Sequence, residues 1–166
     1  MEKVIGNIVI ENAIVRFRNF SGKEGRYNPA GKRNFCVFLN PDLAGSLRDD
    51  GWNVRQLTPL DPSDPPQDYI QVEVSYKNIP PKIYMISSGG KQLLDESCID
   101  ILDWAEIEKV DLIIRPYNWE VNGKSGVKAY CKSMYVTIAE DEFADRYRDV
   151  PDSAKTAGVT DELPFA

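Results

Sequence analysis

Residues 110–138 read VDLIIRPYNWEVNGKSGVKAYCKSMYVTI, and this stretch decides the fold. Asn122-Gly123 tolerates the left-handed backbone that a tight hairpin demands. The flanking residues, 110–121 and 127–138, are rich in β-branched and aromatic side chains and read as two long strands around a loop at 122–126. Arg115, Tyr117 and Trp119 share one parity on the way in. Lys128, Tyr130 and Lys132 share one on the way out, and Lys124 sits at the tip. The chain therefore closes on a hairpin with cation–aromatic stripes on adjacent strands.

Outward from it, the pattern stays mainly β. Residues 69–77 alternate cleanly, with Ile70, Val72, Val74 and Tyr76 on one side. Residues 82–87 and 91–94 form a hairpin across Ser88-Gly89-Gly90. Ser97 with Asp100 marks the start of a short helix ending near Ala105. Upstream, residues 7–20 read as one long strand whose inward face stays apolar only if a bulge near Glu11-Asn12 shifts the register. After that shift Arg16, Arg18 and Phe20 point away from the core. Residues 34–39 form the second strand. Asn40-Pro41 then opens a helix that stops at Gly51. Trp52, Val54 and Leu57 suggest a short strand, and residues 58–68 are a Pro/Asp-rich loop. The expected fold is an OB-type five-stranded β-barrel, with a helix after strand 2, a short helix before the last two strands, and a disordered acidic tail. Residues 1–139 are the barrel and 140–166 the tail.

The chain has 166 residues, 42% of them apolar, enough to bury a core without staples. No apolar run approaches the roughly 20 residues of a membrane span, and the start lacks a signal-peptide pattern, so a cytosolic protein is expected. Cys36, Cys98 and Cys131 are far apart, and histidine is absent. Zinc sites and serine–histidine triads are thereby excluded, no phosphate-loop pattern occurs, and no cofactor is expected.

The net charge of −6 is unevenly spread. The tail carries −5 and residues 1–139 only −1, whereas residues 16–33 carry +5 and residues 115–132 carry +3. A phosphate backbone senses this segregation more than the total. Arg16, Arg18 and Phe20, followed by Lys23, Arg26, Tyr27, Lys32 and Arg33, make a first cation–aromatic constellation; the closing hairpin makes a second. Cations that follow phosphates and aromatic faces that stack on bases are what single-strand binding requires. Trp52 and Trp104 are assigned to packing. The acids Asp95, Glu96, Asp100, Asp103, Glu106, Glu108 and Asp111 define a rival, a metal-dependent nuclease, although their spacing is that of an ordinary solvated face. An RNA- or duplex-binding accessory protein and a purely structural protein are the other rivals. The tail ends Asp161-Glu162-Leu163-Pro164-Phe165-Ala166, an apolar tip on an acidic tether suited to docking on a partner.

The stretch ILDWAEIEKVDLIIRPYNWEVNGKSGVKAYCKSMYVTI (residues 101–138) resembles the C-terminal half of phage-encoded single-stranded DNA-binding proteins. VRFRNFSGKEGRYNPAGKRNFCVFLNPDLA (15–44) resembles the first two strands and helix of the same family. The resemblance spans most of residues 7–139. It implies an OB fold, sequence-independent binding of single strands and a role in phage DNA replication or recombination. The tip DELPFA is similar to the acidic, Pro-Phe-containing ends of bacterial single-strand binders, which recruit replication and repair enzymes; here Ala166 follows the Phe. Single-stranded DNA, replication or recombination proteins, and a second copy of the chain are thus the expected partners.

Overall fold

The computed structural model describes residues 6–26, 28–77 and 79–139. Tyr27 and the whole tail, including the Asp161–Phe165 docking motif, lie outside the described residues. The elements in chain order are β1 (Ile8–Ile10), β2 (Val15–Asn19), β3 (Arg33–Leu39), α1 (Pro41–Asp49), β4 (Val54–Leu57), β5 (Gln67–Val74), β6 (Lys82–Ser87), β7 (Gly90–Leu94), a 3-10 helix (Ile99–Asp103), β8 (Ile107–Val121) and β9 (Lys124–Ile138).

The closing hairpin is the largest ladder. Asn122 and Gly123 adopt φ of 52° and 79°, the pair of left-handed residues that a two-residue turn matched to strand twist requires. Pairing resumes at once, Val121 opposite Lys124, so β9 begins three residues earlier than the 122–126 loop expected from sequence. From there the sheet runs β1-β8-β9-β5-β3-β2, with β4 on β5 and the β6–β7 hairpin on β9. The β5–β9 contact is parallel and the remaining pairs along that path are antiparallel. Taking β1 and β2 as halves of one strand, this is the Greek-key order of an OB-type barrel. β9 changes neighbour along its length: Ala129 and Tyr130 pair with β5, and Ser133–Thr137 pair with β6.

The first strand shows why the sheet curls. Asn12, at φ 52°, breaks it. The Ala13 amide then donates to Val110 O on β8 at 2.7 Å, while Ile14 O accepts from the Phe38 amide on β3 at 3.0 Å. Adjacent residues thus bond opposite edges of the sheet. A second irregularity falls between Arg16 and Asn19, where Phe17 sits at φ 54°, a left-handed conformation costing an L-residue roughly 1–2 kcal/mol. This second shift corrects the expectation for Phe20. One bulge would turn Phe20 outward; two return it to the core, fully buried and stacked on Phe35 at 5.4 Å, while Phe17 is left 62% exposed.

The core is one cluster inside the curl, built from Phe20, Phe35, Val37, Ile70, Val72, Ile83, Leu112, Ile114, Met134 and their neighbours. α1 plugs it with Ala44 and Leu47. The Asn40 side chain accepts from the Leu43 amide at 2.8 Å, Pro41 occupies the first turn, and Gly51 leaves at φ 93°, as the capping residues dictate. Trp52 is buried, as expected. Trp104 is not: it is 76% exposed, because it caps the 3-10 helix, whose apolar residues Ile99 and Leu102 fill the core instead. The Ser97 amide is held by Asp95 Oδ1 at 2.9 Å, so Asp95, not a Ser97–Asp100 box, organises this helix start. Cys36 and Cys131 are buried free thiols and Cys98 is half-buried. Burial pushes the Cys131 thiol up to about 12, which makes it inert. Among the described residues no helix is long and apolar enough to cross a membrane.

Asp68 ties α1, β4 and β5 together. Its Oδ1 accepts from Arg48 Nη2 at 2.7 Å and from Gln56 Nε2 at 3.0 Å. The Arg48 hydrogen bond, then that of Gln56, hold its carboxyl below the ordinary carboxylate range. A folded-state pKa below the unfolded one stabilises above the unfolded value of about 3.9 and loses that contribution as pH falls further. Thermal melts should therefore show Asp68→Asn less stable than wild type at neutral pH, with the gap narrowing as pH drops below about 4.

Candidate nucleic-acid interface

The two long strands overhang the barrel past β5, and this overhang makes the site. Between the hairpin and the outer side of β4 and β5 lies a groove of about 660 Å³, with Tyr117, Trp119, Lys128 and Tyr130 on one wall, Arg55, Gln71 and Glu73 on the other, and Trp52 at its base. A second hollow of about 480 Å³ adjoins it, sharing Glu73, Lys128 and Tyr130, and is lined further by Lys32, Arg33, Tyr76 and Lys77. The loop before β3 and the closing hairpin, far apart in sequence, thus border one continuous channel.

Strand register puts the hairpin's aromatics on a single face. Arg115 stands opposite Tyr130, Tyr117 opposite Lys128 and Trp119 opposite Gly126. The Arg115 guanidinium lies 5.3 Å from the Tyr130 ring centre and the Lys128 ammonium 5.6 Å from it. Tyr117 meets the same ring edge-on at 5.8 Å. Such contacts hold a ring in place while leaving flat aromatic surface toward solvent. Tyr117 is 51% and Trp119 36% exposed.

One acid sits among these cations. Glu73 Oε1 binds Lys128 Nζ at 2.9 Å and lies 3.9 Å from Lys32 Nζ. Desolvation is the largest single influence on the Lys128 ammonium and pulls its pKa down. The hydrogen bond and charge of Glu73, with Tyr130, together outweigh it and leave the pKa raised. Lys128 is therefore a fixed cation at neutral pH. Arg33 pairs with Glu96 at 3.3 Å and lies 5.8 Å from the Tyr76 ring. Arg33 Nε and Tyr76 OH are buried without hydrogen-bond partners among the described residues, and burial, above all, pushes the Tyr76 hydroxyl up to about 12.

The remaining predicted residues divide. Arg16 is exposed, its guanidinium 5.5 Å over Phe38. Arg18 is a strut, donating to Leu102 O and Ala105 O at 2.8 Å each, so the expectation that it points outward is corrected; the bulge at Phe17 turns it onto the 3-10 helix. Phe20, in the core, offers no stacking face. Lys23 covers the exposed Trp104 ring at 5.3 Å. Arg26 is exposed in the loop, Lys124 at the hairpin tip and Lys132 on β9. Sequence reasoning did not place Arg55, Gln71, Glu73, Tyr76 and Lys77 at the site. For Gln71 and Glu73 the signal existed: they alternate with Ile70, Val72 and Val74 and so had to face outward.

Four of the acids of 95–111, Asp95, Glu96, Asp103 and Asp111, are engaged structurally, and Asp100, Glu106 and Glu108 are exposed. Asp103 accepts from the Phe20 amide at 2.6 Å and the Ser21 amide at 3.0 Å. Asp111 accepts from the Asn12 amide at 3.1 Å and lies 3.6 Å from Lys109. Among the described residues no group of three or more acids or cysteines is placed to hold a metal ion.

The family model described as "Putative phage ssDNA-binding domain" matches residues 1–164. The chain belongs to this phage ssDNA-binding family. No curated protein matches it at the level of sequence. The fold of this family member is similar to that of the single-stranded DNA-binding protein from bacteriophage Enc34, at 13% identity and TM-score 0.52, covering 90% of this chain and 89% of that one. The same Enc34 protein solved in complex with ssDNA is similar at 12% identity and TM-score 0.52, covering 82% and 88%. Its C-terminally truncated form is similar at 11% identity and TM-score 0.51, over the same shares of both chains.

Trp119 of this phage ssDNA-binding domain depends on Gly126. A Cβ at position 126 would lie 2.8 Å from Trp119 Cζ2 and 3.0 Å from Nε1, so the indole covers the glycine as aromatic residues do across strand pairs. Gly126→Ala should lift the ring off the strand. Acrylamide quenching of tryptophan fluorescence, measured in a Trp104→Phe background, should rise while circular dichroism stays that of the folded barrel.

Proposed function

We propose that this chain binds single-stranded DNA without regard to sequence, in the channel between the loop before β3 and the closing hairpin. The observation that carries the reading is the channel's composition: Tyr117, Trp119 and Tyr130 lie among Arg55, Arg115, Lys128, Lys32 and Arg33. Flat rings accept any base and cations follow any phosphate, so affinity needs no base-edge code. Membership of the phage ssDNA-binding family supports it. So does the fold shared with an Enc34 protein that was solved with ssDNA. Glu73 holds Lys128 and Lys32 in the free protein, and an incoming phosphate takes its place. Arg16, Lys23, Arg26, Lys124 and Lys132 extend the positive field around the channel and steer the strand toward it, and Tyr27, within the same basic stretch of sequence, is a further candidate for stacking on a base.

The protein acts by occupancy, not by catalysis. It protects exposed single strands during phage replication, recombination or repair in the cytoplasm of a host cell. Residues 140–166 are acidic in composition, and the Asp161–Phe165 motif within them recruits a replication or recombination protein. A nuclease would shorten labelled single strands in Mg²⁺, whereas this protein should leave them intact. Competition among ssDNA, RNA and duplex should favour ssDNA.

A salt-titrated binding assay on poly-dT tests the reading. Log affinity should fall with log salt at a slope of about −0.7 per phosphate neutralised. Trp119→Ala and Tyr130→Ala should each weaken binding by about 1–3 kcal/mol with the fold retained. A flat salt response, or normal affinity in both variants, sinks the proposal.

Deleting Leu163–Ala166 should leave poly-dT affinity unchanged and abolish capture of the cognate phage polymerase or recombinase. Retained capture would remove the motif from the recruiting role.

A further inference from the structure

The outer face of β9 does not end at Tyr130. Past that residue β9 exchanges β5 for β6 as its neighbour, and a β-bulge follows. Ile114 pairs with Cys131 and Ile113 with Ser133, so Lys132 is the extra residue of β9. It is exposed. Beyond the bulge, Met134 and Val136 return to the core, and Ser133, Tyr135 and Thr137 take the outer side.

On that outer side lies a second cation–aromatic group. Tyr135 stands level with Tyr84 of β6, and their rings stack at 5.1 Å and 18°. The Lys91 ammonium of β7 covers Tyr84 at 4.6 Å. Lys82 pairs with Ser133, one step toward the bulge, and is exposed. Tyr135 is 38% exposed and the neighbouring Leu93 55%. The acid opposite Tyr135, Asp111, is engaged by Lys109 and the Asn12 amide. The group is thus positive on balance and aromatic at its centre, on the strand that already carries Lys128 and Tyr130. Tyr130 and Tyr135 lie roughly 15 Å apart along that strand, with Lys132 between them.

We propose that the single-strand path continues along β9, over Lys132 and Lys82, to a second stacking platform formed by Tyr84 and Tyr135 with Lys91. This rests on the single-strand reading of the channel and extends it: the channel holds the first few nucleotides, and the platform takes the bases that follow. A strand too short to leave the channel does not feel it.

Fluorescence anisotropy with labelled oligo-dT of about 6 and about 16 nucleotides, lengths near the lower and upper ends of the site sizes of one OB fold, tests this. Wild type should bind the longer strand much more tightly. Tyr84→Ala/Tyr135→Ala should lose about tenfold or more on the longer strand and stay within about twofold on the shorter. Lys82→Gln/Lys91→Gln alters only exposed charges and so guards against misfolding of the tyrosine variant. It should show the same length-selective loss, with the salt slope on the longer strand falling by about 1.4 for two lost contacts. Trp119→Ala, in the channel, should weaken both lengths. Equal losses at both lengths in the platform variants, or no loss at either, overturn the platform while leaving the channel standing. The platform is equally overturned if those variants change only self-association or protein capture. A wild-type protein that binds neither strand overturns the channel itself.

Discussion

The fold depends on two neighbouring peptide groups that bond in opposite directions. Ala13 donates to β8 and Ile14 accepts from β3, so one short stretch of chain holds both edges of the sheet. A flat sheet with β1 on one edge and β2 on the other would keep those edges far apart. Because residues 11–14 are all that separate the strands, the sheet must curl until its edges approach, and the curl encloses the core. The left-handed backbone at Asn12 and Phe17 is the strain accepted for that turn. It is offset by the burial of Phe20 against Phe35, a side chain of the size whose removal from water contributes about 1.5–3 kcal/mol.

Curling also creates the site. Once β5 and the hairpin share the wall of the curl, the end of the hairpin extends beyond the barrel and leans over β4 and β5. Its inner residues, Val127, Ala129 and Cys131, are buried; those alternating with them, Lys128 and Tyr130, are left at the channel. The same pleat that secures the barrel therefore presents the cation–aromatic face. Glu73 keeps Lys128 and Lys32 paired across the channel, so two cations stay positioned without mutual repulsion. The ion pairs that order them are also replaceable by any other oxyanion.

Charge segregation has a structural counterpart. Two of the acids that balance the basic loop and hairpin are tied to that loop, Glu96 through Arg33 and Asp103 through the backbone before it. Asp103 holds the backbone at Phe20 and Ser21, and Arg18 grips the carbonyls at the end of the 3-10 helix. These contacts fix the stem of the basic loop, whose interior is tied by Asn28 Nδ2 bonding Lys23 O and Lys32 O at 3.0 and 2.9 Å. Asp103 and Glu96, two of the carboxylates that a nuclease would have used, thus serve to shape the loop that borders the channel.

Local patterns alone determined much of this protein. The Asn122-Gly123 turn, the alternation through Ile70, Val72 and Val74, the Asn40-Pro41 cap and the Gly51 stop are set by backbone chemistry within a few residues, so they could be read directly. The hairpin's cation–aromatic face followed from parity, because a pleat admits only two sides. Tertiary structure alone decided the rest. Whether Phe20 faces in or out depends on a second bulge that no local signal marks, since it exists to let Phe20 meet Phe35. Trp104 looked like core because large aromatics usually are, yet Ile99 and Leu102 had already filled the space beneath it. Glu73, Tyr76 and Arg55 joined the site only when β4 and β5 came under the hairpin. Side-chain parity is a property of one strand and is written in its sequence. Which strands lie side by side is settled by how the whole sheet curls to bury its core.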